Sequence, residues 1–97
     1  MNVCTFVGEI TCVVDREWTT DGACWIDIKV PEHYTNSRGE RKVDHTTVRL
    51  RVFSTAADYL EKNADKGDNI AVRAMYKYNS GHNENYFRIN EFRLIKD

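Results

Sequence analysis

The chain has 97 residues, 41% of them hydrophobic, with 14 basic and 15 acidic side chains and a net charge of −1. A chain this short buries roughly 60–65% of the surface its unfolded form exposes, which excludes two large domains flanking a cleft. Its 4 Phe, 5 Tyr and 2 Trp, with the balanced charge, exclude a disordered tail. No apolar stretch nears the roughly 20 residues of a membrane span. The first residues carry no basic flank and no signal-like run, so a cytoplasmic location is expected. Cys4, Cys12 and Cys24 form no Cys-x-x-Cys pair and read as small apolar residues in a reducing compartment. His33, His45 and His82 match no metal spacing, and no metal or cofactor is expected.

In chain order, the first β-like segment covers residues 2–14, with Gly8 marking a bulge or bend. The second, 23–30, alternates: Cys24, Ile26, Ile28 and Val30 point one way, Trp25, Asp27 and Lys29 the other. Pro31 is expected to end it. The third, 45–53, turns Val48, Leu50 and Val52 inward and Thr47, Arg49, Arg51 and Phe53 outward. Residues 54–65 break the two-residue period and predict a helix. Ser54 is its expected N-cap, Ala56, Tyr59, Leu60 and Ala64 face the core, and Gly67 is the stop. The fourth strand, 69–78, puts Ile70, Val72 and Ala74 inward and Arg73, Met75 and Lys77 outward. The fifth, 85–95, changes parity between Ile89 and Phe92, which predicts a bulge. The order β-β-β-α-β-β predicts an all-β fold: an OB-fold, a five-stranded Greek-key barrel with one helix between strands 3 and 4, as a single domain over 1–97.

The outward face of the third strand is unusual. Arg49, Arg51 and Phe53 share it, and neighbouring outward faces add Trp25, Lys29, Arg73 and Lys77. Cations neutralise phosphates, and flat rings stack on unpaired bases. The plainer alternative is a strand face kept soluble by its cations, with its rings half-covered. Positive charge is concentrated rather than abundant: residues 36–53 hold five bases and two acids, residues 1–35 six acids and two bases. The segments 32–44, with Tyr34, Arg38, Arg41 and Lys42, and 79–84, between Tyr78 and Tyr86, would flank the face as fingers, or as ordinary hairpins. No nucleophile with its base, phosphate-cradling loop or carboxylate pair suggests an enzyme.

These residues resemble a family. Asn2-Val3-Cys4-Thr5-Phe6-Val7-Gly8 is similar to the opening N-K-V-x-L-V-G strand of the bacterial-type single-stranded DNA-binding proteins. Ser37-Arg38-Gly39-Glu40 falls at their G-E loop, and Arg49-Leu50-Arg51-Val52-Phe53 at their third strand. Ala56 to Lys62, followed by Lys66-Gly67-Asp68, resembles their A-x-x-x-x-Y-L-x-K-G helix and turn. The chain resembles a divergent, phage-like member. The resemblance implies base stacking by Tyr34 and Phe53, with Arg49 and Lys77 as basic partners; with Thr47 at the place of another of the family's tryptophans and Gly81 near a third, either Trp25, Tyr76, Tyr78 or Tyr86 substitutes, or binding is weaker. It implies a single-stranded DNA partner, a homo-oligomer (dimer or tetramer), no membrane, and a place in the bacterial host cell or its nucleoid. No acidic tail of the kind with which the family recruits replication and repair proteins is expected after Ile95-Lys96-Asp97. The alternatives are an OB-fold adaptor like primosomal replication protein N, or a single-stranded RNA binder.

Overall fold

The computed structural model describes residues 3–79 and 84–96. The elements are β1 (Val3–Val14), a 3-10 turn (Arg16–Trp18), β2 (Cys24–Thr35), β3 (Arg41–Val52), α1 (Ser54–Asn63), β4 (Asn69–Asn79) and β5 (Glu84–Ile95). The strands close into a barrel in the order β1-β2-β3-β5-β4. All pairings are antiparallel except β3 with β5, which run parallel through Leu50 opposite Phe87 and Arg51 opposite Arg88. The expected OB-fold is therefore the fold observed, with one helix between β3 and β4.

The inward parity builds the core. Ile10, Cys24, Ile26, Ile28, Leu50, Val52, Ile70, Val72, Ala74 and Ile89 are buried, α1 adds Ala57 and Leu60, and its C-cap adds Ala64. Each large aliphatic side chain so buried contributes about 1.5–3 kcal/mol. Cys24 behaves as one of these apolar residues: burial, with Glu61 and Asp15 nearby, pushes its thiol up to about 12. The predicted change of parity in β5 is present, with a register shift opposite Arg73 and Ala74.

Four local expectations are corrected. The bulge in β1 lies between Ile10 and Cys12, not at Gly8. Gly8 instead sits where β1 changes partner from β4 to β2, and a Cβ there would lie 2.6 Å from the Lys29 carbonyl oxygen. Pro31 does not end β2, which continues to Thr35. Beyond Lys29, β2 has lost β1 and keeps only β3 as a neighbour, so a residue without an N–H is tolerated on the free edge. The helix N-cap is Phe53, whose carbonyl accepts from the Ala57 N–H, while Ser54 takes a left-handed φ of 58° to turn the chain from strand to helix. Tyr59 is exposed and packs on Phe92 instead of entering the core. Of the expected second finger, 79–84, the segment 80–83 lies outside the described residues.

The first hairpin is long. β2 and β3 stay in register from Cys24 opposite Val52 to Thr35 opposite Arg41. Its turn is closed by Asn36, whose side-chain oxygen accepts from the N–H groups of Arg38 and Glu40, and by Gly39 at φ 80°. Outside the barrel, every residue from Pro31 to Thr35 and from Arg41 to Thr47 is exposed.

Candidate nucleic-acid interface

Strand alternation and register place Trp25, Arg51 and Arg88 side by side on the outer wall, one each from β2, β3 and β5. One step along the hairpin, Asp27 faces Arg49, and beyond that Lys29 faces Thr47. The side chains interlock as a stack. The Arg49 guanidinium carbon lies 4.9 Å from the Trp25 ring centroid and that of Arg51 5.6 Å from the same ring. On its other side Arg51 lies 4.7 Å from the Tyr86 ring. Arg88 covers Phe53 at 5.4 Å. A guanidinium over an aromatic face is attracted by the ring quadrupole, worth roughly 0.5–2 kcal/mol according to exposure.

Carboxylates fix this stack. Asp27 accepts two bonds from Arg49, Nε to Oδ1 at 2.7 Å and Nη2 to Oδ2 at 2.9 Å. Glu84 accepts from Arg51 Nη1 at 2.8 Å, and Asp21 lies 3.2 Å from Arg51 Nε. Asp21 also accepts from the Trp25 indole N–H at 3.1 Å. Hydrogen bonding to Asp27 raises the Arg49 pKa above its ordinary value, and bonding to Glu84 does the same for Arg51. The Arg51 side chain is 14% exposed and that of Arg49 53%, so Arg49 is the open end of the stack.

The nine residues singled out from the sequence divide into groups. Trp25, Arg49 and Arg51 come together in the stack. Phe53 joins its edge through Arg88. Lys29 extends the same outer face toward the hairpin, and Lys77 stands opposite Tyr86 on β4. Tyr34 lies far out on the free half of the hairpin, opposite Lys42, and is 46% exposed. Tyr78 lies opposite Asn85, out of phase with Lys77 and Tyr86, and so faces the other side of its hairpin. Arg73 lies between Thr5 of β1 and Glu91 of β5, on a different wall, with Glu91 3.5 Å away. The sequence reading did not single out Asp21, Asp27, Glu84 or Arg88, and named Tyr86 only as a possible substitute. Asp27 was visible as an outward residue, but its meeting with Arg49 depends on a register set between two strands. Among the described residues no group of three His, Cys, Asp or Glu side chains could hold a metal, and no helix is long and apolar enough to cross a membrane.

No family model and no curated protein matches the sequence. Solved structures do match in shape. A deletion mutant of the single-stranded DNA-binding protein from Thermus aquaticus is similar at a TM-score of 0.75 and 16% identity, over 99% of this chain and 51% of that one. The chain therefore spans about half the length of that relative. The Plasmodium falciparum protein, solved in complex with single-stranded DNA, is similar at 0.69 and 16% identity, over 98% of this chain and 93% of its own. A small single-stranded DNA-binding protein from Streptomyces coelicolor is similar at 0.64 and 13% identity, over 96% and 93%. At these identities the likeness is one of backbone: the chain has the OB-fold barrel that these three proteins share.

Proposed function

We propose that the chain binds single-stranded DNA with little regard to sequence, and that the outer wall of β2, β3 and the start of β5 is where it does so. The observation that carries this reading is the stack of Arg49, Trp25, Arg51 and Tyr86 on that wall of an OB barrel. Unpaired bases stack on such planes at about 1–3 kcal/mol each, whatever the base. In this reading Trp25, Arg49 and Phe53 receive bases, with Tyr34 and Tyr78 as outlying contacts on the two hairpins. Lys29 and Lys77 meet phosphates. Among the described residues neither lysine has a carboxylate within ion-pair distance, which leaves both charges available. Arg73, on another wall, would act only if the strand wrapped around the barrel. That three proteins of this fold are single-stranded DNA-binding proteins supports the assignment.

The proposed role is protection of exposed single strands in replication, recombination or repair. Self-association belongs to the same reading, supported by the exposed Val3 and Val7 on the outer face of β1. Sedimentation velocity with and without oligo(dT) reads both properties together. A complex is expected with oligo(dT) and with mixed-sequence strands at similar affinity. No complex with any single strand at low salt would remove the proposal.

A further inference from the structure

Resting on the reading above, we infer that Asp21, Asp27 and Glu84 determine specificity: they make the face select strands with unpaired bases over duplexes and other polyanions. Two guanidiniums of the stack meet three carboxylates, so the centre of the face carries no net positive charge. The carboxylates take the Nε–Nη2 edge of Arg49, two of its five N–H donors, and hold Arg51 through Nη1 to Glu84 with Asp21 beside its Nε. Those are the donors with which an arginine grips a phosphate. What Arg49 still offers is its flat face and its Nη1 donors, but Asp27 already offsets its charge, so its hold on a phosphate is weakened. A duplex hides its bases and presents only phosphates and grooves, so it gains little here. A single strand gains through stacking, with Lys29, Lys77 and Arg88 at the margins for its backbone. Specificity arises from what the carboxylates repel as much as from what the rings attract.

Three single-charge variants test this: Asp27→Asn, Glu84→Gln and, as a control on another wall, Glu91→Gln, whose partner is Arg73. Each keeps its shape and an acceptor. Affinities are measured at one salt concentration for oligo(dT), for a duplex of equal length and for heparin, a polyanion without bases. Asp27→Asn and Glu84→Gln are expected to raise duplex and heparin affinity about fivefold each, the ratio for one charge pair at about 4 Å fully screened by water. Oligo(dT) affinity should rise less than duplex and heparin affinity or fall, so the preference for single strands falls. For the duplex, the dependence of log affinity on log salt should steepen, by up to about 0.9 in Asp27→Asn and by less in Glu84→Gln, where Asp21 still faces Arg51. Glu91→Gln should move neither ratio. An unchanged preference in both stack variants overturns the inference, as does an equal change in Glu91→Gln, which would reduce the effect to net charge. If Asp27→Asn fails to fold, Glu84→Gln carries the test. Should the wild type fail to bind oligo(dT) while the variants gain heparin and duplex, the carboxylate shield stands and the function proposed above falls.

Discussion

The two halves of the β2–β3 hairpin are built from the same strands in one unbroken register, yet they do different work. In the barrel half, Ile26, Ile28, Leu50 and Val52 are fully buried beneath, and Trp25, Arg49 and Arg51 stand fixed above by carboxylates. In the free half, residues such as Val43, 50% exposed, have no core beneath them, and order depends on the ladder and the Asn36 turn. A two-stranded ribbon on its own is marginal in water. The difference teaches that the rigidity of the outer stack comes from the core under it together with the carboxylates beside it, and that side chains of the free half can contact a ligand without that preorganisation.

The largest expected contrast is in stability. Leu50→Ala should lower the free energy of unfolding by about 3 kcal/mol, whereas Val43→Ala should stay within about 0.5 kcal/mol. Denaturant melts check both; equal losses would mean the free half is buried in solution. Next comes binding. Trp25→Ala should weaken oligo(dT) binding about 10- to 100-fold, the range for losing one good stacking platform together with the order of both arginines. Tyr34→Ala should cost about fivefold, because its ring is held by little else. Anisotropy titrations of the two variants against a common oligomer compare them directly, and a larger effect at Tyr34 would reverse the assignment of the site.

The smallest effect lies off the hairpin and gives a baseline. Lys96 and the Asp65 N–H hold the Asp68 carboxyl below its ordinary pKa. A depressed folded value means its contribution is complete above the ordinary carboxylate range, near about 4, and is lost as pH falls through the folded value. Lys96→Ala should therefore make thermal stability less sensitive to pH on the acid side and leave oligo(dT) binding unchanged. Melting curves across that range check it.

Much of the barrel was legible because one face of each strand is buried. The alternation at Cys24, Ile26 and Ile28, and at Val48, Leu50 and Val52, records the core directly. The free half of the hairpin was not legible, since exposure on both faces erases the alternation and Pro31 resembles an end signal. In the site, the cations and Trp25 were visible as outward residues. Their carboxylate partners were not: Glu84 is 33 residues from Arg51, and the pair exists only through the parallel contact of β3 with β5. Ser54 was misread because serine favours the N-cap, whereas the sharp exit from β3 moves that role to Phe53.

The chain has 2 tryptophans, and Trp18 is largely exposed and takes no part in the ring contacts of the stack. A Trp18→Phe variant therefore leaves Trp25 as the sole indole reporter at the centre of the wall. Titrating it with oligo(dT) is predicted to quench that emission saturably, at the same strand concentration at which anisotropy reports binding. Binding with Trp25 emission unchanged would contradict the account.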